Sequence, residues 1–237
     1  MTSKAPFIEC AFCKARSSSI FSDLEESELS TLSSNKRCRA YRRGQIIFFE
    51  GDHPHGLFCI NEGKVKLYKL TPQGKEQITR LAGPSDIMGY RSLLSHQPLQ
   101  ATAEALEPTK VCFIPEEVFF KMLDANVALS LNIMKYISSE MSMVERHLFQ
   151  IAQKPVRERL AETLLFLKQK FGLTGDPPVT LNIRLTREEL ANLIGTAPET
   201  VIRALHDLKE EGIIHTKGRT LQLLDLDRLV QIAQLND

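Results

Sequence analysis

LTREELANLIGTAPETVIRALHDLKEEGIIHTKGRTLQLL, running from Leu185 to Leu224, reads as two short helices joined by a glycine-bearing turn and followed by a β-hairpin. That order is a winged helix-turn-helix, whose second helix suits the major groove of B-DNA. Thr186 is placed to cap the first helix, and Glu189 completes a capping box. Leu190, Ala191 and Ile194 give that helix one apolar face, and Gly195 permits the tight turn that follows. Pro198 is tolerated in the first turn of the second helix, where its missing N–H leaves no bond unmade. Val201, Leu205 and Leu208 recur at helical spacing and should anchor that helix to its domain.

The outward positions are then Ala197, Pro198, Glu199, Ile202, Arg203 and His206. Glu199 and Arg203 project from one face. An arginine can fork onto guanine O6 and N7, and a carboxylate can accept from cytosine N4. As a plain surface ion pair the two would be worth only about 0.2–0.5 kcal/mol, so base contact is the stronger expectation inside a reader helix. Thr200, Arg187 and the hairpin residues Lys217 and Arg219 suit phosphate. With Thr196 at the helix entrance, these complete the expected DNA-facing set.

Charge does not advertise that role. The 237-residue chain has a net charge of +1, and residues 182–220 hold six Lys/Arg against six Asp/Glu. The DNA expectation therefore rests on pattern rather than field. With 43% hydrophobic and 25% charged residues, the chain should build packed cores in one large or two ordinary domains. No apolar run approaches the ~18–20 residues of a membrane span, so no membrane partner is expected. The opening MTSKAPFIEC lacks the charged-then-apolar order of a signal peptide. Five cysteines, an odd number without an export signal, argue against a disulfide scaffold and for a cytoplasmic chain with reduced thiols.

Working towards the N-terminus, residues 156–171 read as an amphipathic helix and GLTGDPP (172–178) as a loop. Lys154-Pro155 interrupts the pattern and is the expected hinge. Before it, Met134, Ile137, Met141, Val144, Leu148 and Ile151 recur at alternating intervals of three and four. Such a seam fits a helix pairing with a copy of itself, or one packed on its own barrel. Polar flanks at Ser138, Ser139, Glu140, Glu145 and Arg146 favour the homodimer. From about Arg39 to Pro115 the texture is short β-rich runs between glycines: QIIFFE (45–50), LFCINE (57–62), KVKLYKL (64–70), EQITRLA (76–82), ATAEAL (101–106) and KVCFI (110–114). They predict a sandwich or jelly-roll barrel. Ser22–Leu32 should be a helix capped by Ser22 and Glu25. The expected fold is α+β in four parts: an arm with a CxxC pair (1–21), an effector-sensing β-roll (22–125), a dimerisation helix and hinge (126–154), and the winged helix-turn-helix (155–237).

With RRGQIIFFEGD (42–52), LFCINEGKVKLYKL (57–70) and ETVIR (199–203) in view, the chain resembles the Crp/Fnr family of bacterial transcription regulators over roughly residues 20–230. The resemblance implies an effector-binding β-roll, a dimerising helix, and a reader on inverted-repeat promoter DNA beside RNA polymerase. Its ETxxR glutamate and arginine fall on Glu199 and Arg203, and a TGA-like half-site core is implied. Ala197, Pro198 and Ile202 depart from the pattern.

In the cyclic-nucleotide branch a GE pair and, about ten residues on, an Arg-Ser pair hold the ligand. Within MGYRSLLSHQPLQATAEA (88–105), Tyr90 stands for that Glu, Gln100 for the Arg and Ala101 for the Ser. Without the charged fork, cAMP is not the expected effector, although Arg91 is nearby. Met88, Gly89, Tyr90, Arg91, Gln100, Ala101 and Thr102 are the expected pocket for some other ligand. The oxygen-sensing branch holds an iron–sulfur cluster on four thiolates. Cys10, Cys13 and Cys112, the last in VCFIP (111–115), match three of them, while the remaining position falls near Ser19. Cys59 reads as a core residue, and Cys38 could approach. A cluster on a substituted ligand set, a CxxC metal or redox switch, and an arm without a role all stay open, so the cofactor is unknown.

One enzyme reading competes. His53-Pro54-His55 has the HxH form of cupin-type metal enzymes, with Glu62 and His96 as the remaining candidate ligands. Those ligands are poorly spaced, and such barrels carry no reader domain. A regulator, not an enzyme, is expected.

Overall fold

Eight short strands between Arg37 and Pro115 pair into two four-stranded antiparallel sheets in a computed structural model that describes residues 8–175 and 179–234. The strands are β1 (Arg37–Tyr41), β2 (Ile46–Phe48), β3 (Gly56–Glu62), β4 (Val65–Leu70), β5 (Glu76–Ala82), β6 (Ile87–Met88), β7 (Thr102–Ala105) and β8 (Thr109–Pro115). One sheet has the order β1-β8-β3-β6, the other β2-β7-β4-β5. Between them lies a core that includes Phe48, Ile60, Val65, Leu67, Met88, Ala103 and Val111.

The first sheet is buried on its other face too. Leu57, Ile87 and Ile114 point there and pack with Leu29, Leu93, Phe119, Leu129 and Ile133. The covering helices are α1 (Glu26–Asn35), α2 (Tyr90–Ser95), α3 (Glu116–Ala125) and the first half of α4 (Val127–Gln153). Each large side chain sealed in this layer, such as Leu57 or Leu129, contributes about 1.5–3 kcal/mol over an exposed one.

Three local expectations need correction. The first helix begins at Glu26 rather than Ser22, because the Glu28 carboxylate accepts the Glu25 N–H at 2.9 Å and Phe21 and Leu24 are drawn into the core. Strand β1, RCRAY, lies largely outside the expected runs: two arginines and an edge position hide its alternation. Glu140 does not flank a solvent-exposed seam. It is 5% exposed, with Arg80 Nε 2.7 Å from its Oε2.

The chain divides into two compact units, Met1–Met141 and Ser142–Asp237, with the division falling inside α4. In the second, α5 (Val156–Phe171) is the hub, with Leu160, Ala161, Leu164 and Leu167 fully buried. Around it lie β9 (Leu173–Thr174), β10 (Thr180–Leu181), α6 (Arg187–Ile194), α7 (Pro198–Glu210), β11 (Ile214–Lys217), β12 (Thr220–Leu223) and α8 (Leu226–Ala233). The expected loop after α5 starts with β9, which pairs with β10, and its residues 176–178 lie outside the described residues. Lys154, at the expected hinge, is pinned: its Nζ lies 2.8 Å from Glu162 Oε2 and donates to the Ala233 carbonyl.

Candidate nucleic-acid interface and signal sites

The reader assembles as its sequence predicts. Thr186 Oγ1 accepts the Glu189 N–H at 3.0 Å, and Glu189 accepts the Thr186 N–H at 2.7 Å. Gly195 ends α6 at φ 72°, and a Cβ there would stand 3.3 Å from Ile151 Cδ1. Helix α7 opens at Pro198 and buries Val201, Leu205 and Leu208, together with Ala204, which falls between the spaced positions. Ala197, Glu199, Ile202, Arg203 and His206 are exposed, and Pro198, Thr196 and Thr200 are half-buried. Among the described residues, neither the Glu199 nor the Arg203 side chain has a hydrogen bond or ion pair. Their heads are therefore open to a ligand. Lys217 and Arg219 stand exposed on either side of Gly218, at φ 58° in the hairpin turn. Arg187 differs from them. It is half-buried, its Nη1 is sealed from solvent without a partner, and burial pulls its pKa below the usual arginine range.

On α4 the expected seam is a row of exposed apolar side chains: Met134 57%, Ile137 38%, Met141 62%, Val144 45%, Leu148 62% and Ile151 42%. Leu129 and Ile133 occupy the buried face instead. The stripe is thus distinct from the helix's packing onto its own sheet.

All five cysteines meet on the outer face of the first sheet. Cys38, Cys112 and Cys59 form one rung across β1, β8 and β3, paired in register. Cys10, Cys13, Cys59 and Cys112 line one small cavity with Lys36, Asn61 and Ser19. Cys38 and Cys112 are joined by a disulfide, which corrects the expectation of reduced thiols for this pair, because neighbouring strands set the two directly opposite each other; Cys10, Cys13 and Cys59 are free. Cys10 is buried with its N–H donated to Ser33 Oγ, and Asn61 Nδ2 donates to Cys13 Sγ at 3.1 Å. Burial pushes the Cys59 thiol well above its ordinary range.

The four-thiolate cluster of the oxygen-sensing branch fits this arrangement poorly. Ser19 stands at the third position and donates its hydroxyl to the Arg16 carbonyl, and Cys112 is already bonded. Among the described residues, no three His, Cys, Asp or Glu are arranged to hold a metal ion. That also answers the HxH reading. His53 and His55 are exposed in the turn after β2, Glu62 pairs with Lys110, and His96 stacks on Phe120.

The 88–102 segment does not close around one cavity. Met88 points into the inter-sheet core, whereas Tyr90 packs in the outer one. Tyr90 meets Tyr136 edge-on and lies 3.4 Å from Glu140, while Arg91 Nε donates to its hydroxyl. Gly89, in the left-handed region, starts α2; Gln100 donates to the Pro98 carbonyl; Thr102 accepts the Glu50 N–H; Ala101 is half-buried. What the segment does reach is α4. Arg80 binds the Ile87 carbonyl, Asp86 and Glu140, and the Tyr136 hydroxyl hydrogen-bonds both Arg80 and Asp86. This buried network has no signature in the sequence, because no spacing rule links residue 80 to residue 140.

A β-roll, a long helix and a winged helix-turn-helix with an unpartnered reading face define a DNA-binding regulator with a sensory domain. Comparison with known proteins agrees. Residues 38–126 match the cyclic nucleotide-binding domain, and residues 158–232 the Crp-like helix-turn-helix domain. The chain is 30% identical over 227 residues to the fumarate and nitrate reduction regulatory protein of Vibrio cholerae, covering 95% of this chain and 90% of the relative. The protein of the same name from Escherichia coli K12 is 30% identical over 228 residues, with the same coverage. FixK2 from Bradyrhizobium japonicum shares the fold, with a TM-score of 0.75 at 24% identity over 85% of this chain and 99% of that one. A CRP-family regulator from Thermus thermophilus superposes with a TM-score of 0.71 at 25% identity, over 82% and 95% of the two chains. The chain belongs to the Crp/Fnr family of transcription regulators, whose members bind promoter DNA and are not enzymes. Among the described residues, no helix is long and apolar enough to cross a membrane.

Proposed function

We propose that the protein is a homodimeric, cytoplasmic regulator that binds inverted-repeat promoter sites and responds to the thiol state of its cysteine site. The exposed apolar stripe on α4 carries this reading. Six apolar side chains in coiled-coil spacing cost free energy in water and are satisfied by a second copy of the same helix. Two copies then present two α7 helices to adjacent major grooves, about 34 Å apart. Glu199 and Arg203 read base edges. Ala197, Pro198 and Ile202 add apolar contact, and Thr196, Thr200, Lys217 and Arg219 meet phosphate. Arg187, half-buried at the start of α6, would meet phosphate through the part of its side chain that reaches solvent rather than through the sealed Nη1. RNA polymerase is the partner that bound protein would meet at a promoter.

The signal enters through the cysteine rung. Reducing the Cys38–Cys112 bond takes two electrons and two protons from an external dithiol, which leaves as its own disulfide. Cys59, held protonated by burial, is a poor nucleophile, so attack comes from outside at Cys38, half-buried on the edge strand. In a reducing compartment such a bond belongs with redox sensing rather than scaffolding. The Arg80–Glu140 network is the route by which movement on this sheet reaches α4. Within the 88–102 segment, Tyr90 and Arg91 support that route, because both reach Glu140.

Band-shift titration on an inverted-repeat operator tests the reader. Arg203→Ala should weaken binding by about 1–3 kcal/mol per half-site and relax preference at one base pair; unchanged preference would sink the assignment. Met141→Glu with Val144→Glu should give monomers in sedimentation. A variant that stays dimeric removes the stripe from the interface. Operator affinity that is identical with and without a dithiol reductant would take the cysteine site out of the signal path.

A further inference from the structure

The inner face of the first sheet opens at one end into a cleft of about 510 Å³, separate from the reader, the stripe and the cysteine cavity. Its floor is aromatic. Phe48 and Phe58 have ring centroids 4.9 Å apart, and Phe58 and Phe113 5.1 Å. Phe113 is held in position by Gly56, where a Cβ would come within 2.7 Å of its ring. The rim is cationic. Arg37 and Arg39 alternate along β1 and so share one face of it. Both are exposed, and among the described residues neither has an ion pair. Arg39 meets only the Tyr41 hydroxyl, whose pKa burial raises. Asp52, the carboxylate of the lining, turns an oxygen to the Phe49 N–H at 3.1 Å. His53 and His55, the HxH pair that no metal site absorbs, complete the mouth.

Tilted, clustered rings under two guanidinium groups that lack ion pairs suit one kind of guest. An aromatic floor favours a planar ring lying offset or edge-on, and arginine forks onto carboxylate or phosphate with paired hydrogen bonds. The volume lies within the range of small-molecule sites. We propose that this cleft is a ligand site of the sensory domain for a small aromatic or heteroaromatic ring bearing a carboxylate or phosphate. None of the residues of the 88–102 segment expected to hold an effector lines it.

Calorimetric titration of the 237-residue chain tests this with two probes, 2-naphthoate for an aromatic carboxylate and adenosine 5′-monophosphate for a nucleotide. At least one should bind saturably. Succinate, which lacks the ring, and 2-naphthylmethanol, which lacks the charge, should bind at least tenfold more weakly. Arg37→Gln with Arg39→Gln should weaken the bound probe ten- to a hundredfold, and Phe113→Leu severalfold. Arg43→Gln removes an exposed charge of the same region outside the cleft and should change affinity less than twofold. Saturable binding of neither probe overturns the proposal. So does a probe whose affinity survives loss of both rim arginines, or falls as far in Arg43→Gln. DNA binding is not read in any arm, so this test can fail while the regulator reading stands.

Discussion

The two faces of the β1-β8-β3-β6 sheet carry different chemistry on the same strands. Along β1, Arg37, Arg39 and Tyr41 turn to the aromatic cleft, and Cys38 turns to the thiol cavity side. Along β8, Val111 and Phe113 face the space between the sheets, while Cys112 and Ile114 face the helices. Strand β3 repeats this with Phe58 and Ile60 against Leu57 and Cys59. A period of two lets one sheet keep charge-and-ring recognition on one side and sulfur chemistry on the other. The cost is that the two are separated by a single backbone layer, so a change of register by one residue would exchange them.

Four perturbations break or sharpen this division. Reduction of the Cys38–Cys112 bond should have the largest effect. The two cysteines are 74 residues apart, and chain entropy alone puts the loss at about 4 kcal/mol. Urea midpoints with and without reductant measure it, and a Cys38→Ser, Cys112→Ser double variant should show no reductant effect. Arg80→Met comes next, at about 3 kcal/mol, because it takes the nearest cation from the buried Glu140 carboxylate and leaves it only the exposed Arg91 at 3.7 Å. Combining Arg80→Met with Glu140→Gln in the same chain should recover part of that loss. Third is alkaline pH. Burial raises the phenol pKa of both Tyr90 and Tyr136 in the folded state. The stability this contributes is complete below pH 10, the unfolded value, and declines as pH rises above it. Unfolding midpoints stepped from about pH 8 to about pH 11 should fall only in the upper part, and Tyr136→Phe should flatten the slope. Arg37→Gln should do least, within about 0.5 kcal/mol, since its head is exposed and unpaired. An equilibrium denaturation curve that moves by more would mean the rim is part of the core.

The reader is legible in the sequence because each of its signals is local. Thr186 with Glu189, Gly195, Pro198 and the Val201–Leu205–Leu208 spacing all act within one or two helical turns. The stripe on α4 is legible for the same reason, as are strand β5 and helix α5, whose expected limits hold to the residue. The cysteine site is half visible. Cys10, Cys13 and Cys112 stand out by pattern, whereas Cys59 reads only as core. Cys38 has no role by sequence because its strand, with two arginines in five residues, does not look like one. Only strand register puts the three β-sheet cysteines side by side, and register is not written in any short stretch of the chain. The Arg80–Glu140 pair is the clearest case. Each residue is an ordinary surface type by its neighbours, and only the packing of α4 on the sheet buries both.

Ile151 packs within van der Waals reach of the place where Gly195 has no side chain. In the proposed dimer one residue would therefore answer to two selective pressures, the partner helix on one side and the helix-turn-helix corner on the other. Related chains should drift freely among Met, Leu and Ile at positions 141 and 148. At 151 they should tolerate little change in shape, and any exchange there should be accompanied by adjustment around position 195. Sequencing functional variants from a randomised library at 141, 148 and 151 would reveal that unequal tolerance directly.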